Sequence, residues 1–275
     1  VGLFTGYYEP ELQGSFRPNG IFKYPIYSVP EDLIKINLDE FNMDLPNKKL
    51  FGRLLSKKFV PYFNRKEIEN GALFGKQLEI LWVDNKIDLF FLHIQGSGRI
   101  ILPDGTDVRI GYAGKNGHKY SSVGRELVAR GIMSLDQVSM QAIKFWMDQN
   151  PLLAQSLMYK NKSFIFFRVL ENDGPVGSSG VVLTPGRSIA IDPRYTPYGT
   201  PVWLSTSFPG EKAGKRLRRL FIAQDTGSAI QGAVRGDVYW GSGVDAGKKA
   251  GLMKNQGHYF ILLPKVSKLK DSTIK

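Results

Sequence analysis

The feature that most constrains the fold is a change of pattern at residues 171–180, ENDGPVGSSG. This stretch is rich in Gly and Ser and carries almost no apolar bulk, which is typical of a linker. After it, helical periodicity nearly disappears and short apolar stretches alternate with turns, as in a small β-barrel or β-sandwich. The strands predicted there are 181–183, 188–191, 201–204, 217–224, 238–240 and 259–263, with one helix near 245–252.

Before the linker, the pattern mixes strands and helices. Pro103-Asp104-Gly105 is a strong hairpin signal, so residues 78–110 are predicted to form an antiparallel meander. Residues 31–57 have no clean period and are predicted to be a loop. The predicted strands are 1–10, 78–83, 87–95, 99–102, 108–110 and 164–170. The predicted helices are 65–71, 122–130, one capped by Ser134 and Gln137 that runs to residue 149, and one that begins at Asn150-Pro151.

Composition narrows the classes of function. The chain has 275 residues, enough for one large or two small domains, and no Cys, which excludes disulfides and thiol nucleophiles. Its net charge of +12 attracts polyanions such as nucleic acid, anionic lipid or an acidic wall polymer, although a solvated basic surface explains it equally well. No stretch approaches the roughly 20 apolar residues of a membrane-spanning helix. Val1 is not an initiator Met, so the sequence is interpreted as a mature domain whose targeting segment lies elsewhere.

Three carboxylates follow or precede predicted strands after the linker. Asp225 and Asp237 flank a Gly-rich turn in residues 221–241, and Asp192 ends the strand at 188–191. If the three converge, mutual repulsion would leave one protonated near neutral pH, as a general acid requires. The alternative is that Asp225 and Asp237 form turns that close a hairpin, and the two interpretations are about equally favoured.

The other motifs in the sequence do not predict a specific catalytic or cofactor site. Gly241-Ser242-Gly243 lacks a surrounding βαβ unit, so it indicates a turn and no dinucleotide site. The sequence has no phosphate loop with G-K-[ST] and no G-x-S-x-G elbow. The three histidines are far apart in sequence, and no metal site is predicted. His118 lies in residues 112–120, YAGKNGHKY, a polar loop between aromatics that suits a sugar or serves as an exposed connector.

Short blocks in one order along nearly the whole chain are more specific than any of these motifs. They are Thr5-Gly6-Tyr7-Tyr8, Tyr24-Pro25-Ile26-Tyr27, Gln95-Gly96-Ser97-Gly98, residues 112–118, residues 139–143 (SMQAI), and Asp225-Thr226-Gly227 through Asp237. On these blocks the chain resembles the MltA family of lytic murein transglycosylases. The resemblance implies a mainly β protein with a double-psi β-barrel formed by residues 1–10 and 176–275. It also implies an inserted, mainly β domain over 11–175 that carries a few helices, and a glycan groove where the two meet.

The resemblance also implies a reaction and its residues. The β-1,4 bond between N-acetylmuramic acid and N-acetylglucosamine is cleaved, and the muramyl C6 hydroxyl attacks C1 to leave a 1,6-anhydro end. One carboxyl group, matched by Asp237, acts first as acid and then as base. Asp225 and Asp192 match acidic positions that would raise the pKa of Asp237 or orient it. The implied substrate-binding residues are Thr5, Tyr7, Gln95, Ser97, Lys115, His118 and Gln141.

By the same resemblance, the chain is expected to be a periplasmic monomer that acts on peptidoglycan strands without a cofactor or metal, tethered to the outer membrane by an anchor outside this sequence. A different class of function stays open. Double-psi barrels also occur in proteins that bind and loosen polysaccharide without cutting it, and the positive charge would serve that role too. Nucleic-acid binding is not expected, because only the charge favours it and no binding motif is present.

Overall fold

The computed structural model describes residues 1–41, 49–135, 137–171, 174–210, 215–227 and 229–264. Its strands are β1 (Gly2–Glu9), β2 (Glu11–Ser15), β3 (Tyr24–Tyr27), β4 (Ile34–Asn37), β5 (Lys49–Leu55), β6 (Lys58–Pro61), β7 (Glu79–Val83), β8 (Ser97–Ile101), β9 (Asp107–Lys115), β10 (Ile165–Leu170), β11 (Ser188–Ile191), β12 (Pro201–Ser207), β13 (Arg216–Asp225), β14 (Arg235–Ser242) and β15 (Lys254–Ile261). Its helices are α1 (Arg65–Glu67), continued by a π-helical turn (Ile68–Ala72), α2 (Lys86–Gln95), α3 (Val123–Ala129), α4 (Met140–Gln149), α5 (Pro151–Lys160) and α6 (Gly243–Leu252), with a 3-10 turn at Leu38–Phe41.

Six strands close into a barrel in the order β1-β14-β11-β13-β12-β15. β1 pairs in parallel with β14, and β11 pairs in parallel with β13, so the first strand of the chain completes a barrel built otherwise from its last third. Alternate residues point inward and form an apolar core that includes Phe4, Ile189, Leu204, Phe221 and Val238. The expected mainly β fold with a double-psi β-barrel is confirmed.

The strand predicted at 181–183 is wrong. Val182 forms only an isolated bridge with Val176, and Leu183 is buried behind it. The other strands predicted after the linker are present, most of them longer than predicted, as is the helix at α6. Of the linker itself, residues 172–173 lie outside the described part of the chain.

A second sheet carries the order β10-β9-β8-β2-β7-β3, and β4-β5-β6 form a small antiparallel sheet. The loop predicted over residues 31–57 is therefore wrong at 34–41 and 49–55, where β4, a 3-10 turn and β5 lie; residues 42–48 lie outside the description. The hairpin at Pro103-Asp104-Gly105 is confirmed: β8 and β9 pair antiparallel around it, and Gly105 takes the positive φ of +84° that the turn requires.

The strand predicted at 87–95 is wrong, and with it the meander over 78–110, because α2 lies there. This helix is buried on most sides, and its consecutive residues Leu89, Phe90, Phe91 and Leu92 are all apolar and buried. Because such a run has no polar face, its periodicity cannot distinguish a buried helix from a buried strand. The distinguishing signals are at the ends. The Asn85 side chain accepts hydrogen bonds from the first turn, and residue 96 is a glycine in the left-handed conformation.

Two helix starts also differ from expectation. The helix predicted to start after Ser134 begins six residues later as α4, where the Ser139 hydroxyl accepts from the Ala142 N–H; residue 136 lies outside the described chain. α5 begins at Pro151 as predicted, but Asn150 does not cap it, because its amide donates to the Trp146 carbonyl. The helices at residues 65–71 and 122–130 are confirmed. Within the described residues, no helix is long and apolar enough to span a membrane.

Side-chain contacts between the described residues also join the barrel and its helix α6 to the inserted part of the chain. At the end of β1, the carboxylate of Glu9 is buried and accepts from Arg109 of β9 at 2.7 Å. On the other side, Gln141 of α4 donates to the Gly247 carbonyl of α6 at 2.8 Å. These contacts fix how the inserted sheet stands against the barrel strand that carries Thr5 and Tyr7.

Candidate active site

Asp237 lies where the two parallel barrel strands β1 and β14 run side by side, directly opposite Thr5. The Thr5 hydroxyl donates to Asp237 Oδ1 at 2.5 Å, and Arg235 Nη2 donates to the Thr5 oxygen at 2.9 Å. Because a guanidinium can only donate, the hydroxyl hydrogen of Thr5 must point to Asp237. Oδ1 is therefore held as an acceptor, while Oδ2 makes no hydrogen bond with any described residue.

The surroundings of Asp237 favour its protonated form. Burial raises the pKa of Asp237 to about 6; the Thr5 hydrogen bond and the Arg235 charge oppose this rise, and the Asp225 charge adds to it. A carboxyl group with such a pKa holds a proton in a useful fraction of molecules near neutral pH, and loses it at little cost. With Oδ1 occupied, that proton belongs on Oδ2.

Asp225 is the last residue of β13, and its carboxylate accepts every hydrogen bond that its side chain makes. The Tyr7 hydroxyl donates to Oδ2 at 2.8 Å, while Ser178, through both its N–H and its hydroxyl, and the Thr226 N–H donate to Oδ1. Burial and the Asp225 charge raise the pKa of Tyr7 well above its ordinary value, so Tyr7 stays a donor. Its ring lies 5.3 Å from that of Tyr239. Asp225 thus accepts four hydrogen bonds and supplies negative charge beside Asp237.

Asp192 is engaged elsewhere. Its carboxylate binds Arg194, with Nη2 at 2.6 Å, and accepts from the Gly232 N–H at 2.8 Å. The hydrogen bonds from Arg194 hold the pKa of Asp192 well below its usual range. Within the described part of the chain, the carboxylate that raises the pKa of Asp237 is Asp225, so the structure gives no support to the expectation that Asp192 does so by repulsion. Asp192 instead anchors Gly232 in the loop between Asp225 and Asp237.

The five residues predicted on the inserted part fall into separate groups, and no described hydrogen bond or ion pair joins them to Asp237 or Asp225. Gln95 and Ser97 flank the turn from α2 to β8, next to β1. Lys115 lies with its ammonium 5.6 Å from the Phe51 ring, and His118 Nε2 is 2.7 Å from the Tyr62 carbonyl oxygen. Gln141 uses its amide to bind α6.

Sequence reasoning missed several residues that build this region. Arg235 precedes Asp237 by two positions on one strand, so both point to the same side of the sheet, and this spacing could have revealed it. Ser178 lies in the linker and no sequence signal marks it. The loop predicted at 112–120 is strand β9 as far as Lys115, and the buried Asn116 follows it directly; its amide donates to the Phe63 and Lys162 carbonyls, and its oxygen accepts from Phe164 N–H. Among the described residues, no cluster of three or more His, Cys, Asp or Glu could hold a metal ion.

Two family models match the chain. One described as the MltA specific insert domain matches residues 3–168, and one described as the 3D domain matches residues 187–263. The membrane-bound lytic murein transglycosylase A of Vibrio cholerae is 33% identical over 265 residues, which cover 94% of this chain and 65% of the relative. The chain thus spans 65% of the length of the curated relatives it matches.

Solved structures are similar over a comparable range. The membrane-bound lytic murein transglycosylase of Agrobacterium tumefaciens superposes with a TM-score of 0.87 at 38% identity, covering 96% of this chain and 74% of that one. Escherichia coli MltA with bound chitohexaose superposes with a TM-score of 0.77 at 32% identity, covering 94% of this chain and 70% of the other. At these identities the similarity extends beyond the fold to the family.

Proposed function

The chain belongs to the MltA family of lytic murein transglycosylases, and on that premise we propose that it cleaves peptidoglycan between N-acetylmuramic acid and N-acetylglucosamine with a 1,6-anhydromuramyl product. The observation that supports this most is the state of Asp237. Its pKa is raised to about 6, Oδ1 is held by Thr5, and Oδ2 is without a partner among the described residues. A single carboxyl prepared in this way can donate one proton and later accept another.

The reaction needs one such group because its nucleophile belongs to the substrate. Asp237 Oδ2 gives its proton to the glycosidic oxygen as the bond from that oxygen to the muramyl C1 breaks. The C6 hydroxyl of the same muramyl residue then attacks C1, and Asp237 accepts its proton. A bond from C1 to O6 replaces the bond that was lost, no water enters, and the enzyme returns to its starting protonation state. This departs from glycosidases that use two carboxylates.

The neighbours of Asp237 take supporting roles in this proposal. Arg235 and Thr5 orient the carboxyl so that Oδ2 works on the substrate. Asp225, saturated with donors, keeps its negative charge beside the positive charge that develops at C1. Tyr7 is only partly buried and can contact a sugar beside the same carboxylates, while the buried Tyr239 packs against the Tyr7 ring and supports it.

We extend the proposal to the division of labour in the chain. Residues 1–10 and 176–275 form the catalytic barrel domain, and residues 11–175 form the domain that holds the glycan. Gln95 and Ser97 suit the groove best, since they adjoin β1, and Lys115 and His118 serve it further out. Gln141 joins α4 to α6 and so sets the groove's shape. We also propose that the protein is a periplasmic monomer tethered to the outer membrane; the related enzymes are named membrane-bound, which supports the attachment to a membrane.

The products test this function. Incubation with purified peptidoglycan in ¹⁸O-labelled water is expected to release muropeptides with anhydro ends that carry no label, as mass spectrometry would detect. Newly formed reducing ends that carry the label would show that the enzyme hydrolyses the bond and is not a transglycosylase. Binding to peptidoglycan without any soluble product over a long incubation would favour the wall-binding module that the sequence left open.

The Thr5 hydroxyl offers a second test through pH. Thr5→Val keeps the shape but removes a hydrogen bond that lowers the pKa of Asp237. Since the protonated acid is the active form of the free enzyme, kcat/KM falls as pH rises through that pKa. We therefore expect the alkaline limb of the valine variant to move to higher pH, with kcat/KM at the optimum reduced by about tenfold, the value of a hydrogen bond to a charged group. Thr5→Ser keeps the hydroxyl and should follow the wild type; a valine profile that superimposes on the wild type would remove Thr5 from the mechanism.

A further inference from the structure

The outer surface of β15, β12 and β13 forms a continuous three-stranded face, here called the outer barrel face. The pairing register aligns its side chains in rows. One row is Phe260, Trp203 and Leu220, and the next is His258, Ser205 and Arg218. Arg216 lies two residues before Arg218 on the same side of β13, opposite Ser207.

This face exposes large apolar side chains. Trp203 is 40% exposed and its cross-strand partner Phe260 is 57% exposed. At the same end of the barrel, the chain after Phe260 continues with Ile261, Leu262 and Leu263, all exposed, with Leu263 at 80%. Single exposed apolar residues are ordinary, but a contiguous set of this kind on a folded protein marks an interaction surface.

Within the described residues, the apolar set is bordered by cations. β12 and β15 contain no Asp or Glu, the only one in β13 is Asp225 at its far end, and residues 211–214 of the connection between β12 and β13 lie outside the description. Arg216 and Arg218 are exposed on this face, and among the described residues neither forms an ion pair. The partner of this face must therefore offer negative charge next to an apolar layer.

The position of the face in the barrel is also informative. In the order β1-β14-β11-β13-β12-β15, β12 is three strands from β14 in either direction round the closed sheet. The outer barrel face, centred on β12, is thus diametrically opposite the strand that carries Asp237. A partner that covers this face leaves the Asp237 side of the barrel free.

We propose that the outer barrel face docks on the surface of a bilayer containing anionic lipids. Trp203, Phe260 and the Leu262-Leu263 tip enter the boundary between headgroups and acyl chains, where Trp and other aromatic side chains are favoured. Arg216 and Arg218 bind headgroup phosphates. In this orientation, Asp237 faces away from the membrane.

Two other occupants fit the chemistry less well. A glycan could stack on the Trp203 and Phe260 rings, but its hydroxyl groups would not form favourable contacts with the aliphatic side chains of Leu262 and Leu263. A second copy of the chain would set Arg216 and Arg218 against the same arginines or against other cations of a molecule with net charge +12. A bilayer surface meets both requirements together.

The test is co-sedimentation of the 275-residue chain with vesicles of phosphatidylcholine, with or without about one third phosphatidylglycerol. We expect binding to the anionic vesicles alone and release by high salt. The double variant Arg216→Ser/Arg218→Ser should bind about 30-fold more weakly, since each basic residue near an anionic surface contributes about 1 kcal/mol. The double variant Lys35→Ser/Lys119→Ser removes the same charge from exposed positions before the linker and should bind within about threefold of the wild type.

The apolar part is tested separately. Trp203→Ser/Phe260→Ser should lose vesicle binding, whereas Phe145→Ser/Leu152→Ser, at still more exposed positions on α4 and α5, should keep it. Brominated lipid should quench Trp fluorescence in the wild type and not in Trp203→Phe, which still binds. The proposal would be overturned if Arg216→Ser/Arg218→Ser and Lys35→Ser/Lys119→Ser weakened vesicle binding equally. It would also be overturned if the wild-type protein stayed in the supernatant. If the wild type does not bind vesicles and Trp203→Ser/Phe260→Ser loses peptidoglycan binding, the face belongs to a glycan. If the wild type does not bind vesicles and the same variant loses a dimer, the face belongs to a second copy.

Discussion

Asp237→Asn is expected to lower kcat by about 10³- to 10⁴-fold, near the upper end of what a general acid–base contributes, because the same group both gives and takes the proton. The amide fits the site, since its oxygen can still accept from Thr5. Binding to peptidoglycan should therefore persist while the release of soluble muropeptides stops. Asp245→Asn is the matched control: Asp245 lies on α6 of the same barrel, its side chain is 89% exposed, and its variant should keep full activity.

The Asn variant should also reveal the cost of ionising Asp237 in the folded protein. A carboxyl whose pKa rises from 3.8 unfolded to about 6 folded is protonated in both states at low pH. As pH rises between these values, the unfolded state ionises first, so the wild type loses stability until the folded pKa is passed. At pH 8, Asp237→Asn should therefore be more stable than the wild type by roughly 3 kcal/mol, and the gap should close below pH 4. An Asn variant that retains wild-type kcat would remove Asp237 from the reaction.

The largest expected effect on stability is at Arg65. Its side chain is 1% exposed and donates to the Asn161 and Ser163 carbonyls, to Glu69 and to His93 Nδ1. Burial lowers the pKa of His93 well below its ordinary value, so the ring is neutral and Nδ1 accepts from the guanidinium. Arg65→Met fills much of the volume but leaves His93 Nδ1 and two carbonyls without their donor, and leaves Glu69 paired with Lys86 alone. We expect a loss of roughly 3–5 kcal/mol, as when one partner of a buried ion pair is removed.

Arg130 provides the control for Arg65. Both arginines pair with a glutamate four residues away on a helix, but Arg130 and Glu126 are about one-third exposed. Arg130→Met should cost no more than about 0.5 kcal/mol. Thermal or urea denaturation compares the two variants, and equal small effects would mean that the Arg65 network does not hold this part of the fold together.

The sequence predicts the barrel better than the inserted part, for physical reasons. Barrel strands such as β11 to β14 alternate inward and outward residues and are separated by Gly and Pro turns, so local pattern and final structure agree. α2 carries a continuous apolar run because it is buried on most sides, and such a run does not reveal its period. β4 and β5 are short strands of a small sheet with much exposed surface, so no core face marks them in the sequence.

The candidate site was only partly visible in the sequence. Asp225 and Asp237 stand out because both border a Gly-rich turn, and the resemblance adds Thr5 from the other end of the chain. No local pattern could show that β1 would pair in parallel with β14 and bring Thr5 to Asp237, because that contact spans 232 positions. Ser178 and Asp192 illustrate the same limit. A linker serine became a ligand of Asp225, and a strand-end aspartate was neutralised by a nearby arginine.

The central claim is that the pKa of Asp237 is raised enough for a useful fraction of molecules to hold its proton near neutral pH. The most direct measurement is the pKa of its side-chain carboxyl from the ¹³C chemical shift across a pH titration, with Asp237→Asn used to assign the signal. The account predicts a midpoint near 6 in the free enzyme and a higher one in Thr5→Val. A midpoint at or below the ordinary value of about 4 would contradict it, because the carboxyl would then have no proton to give.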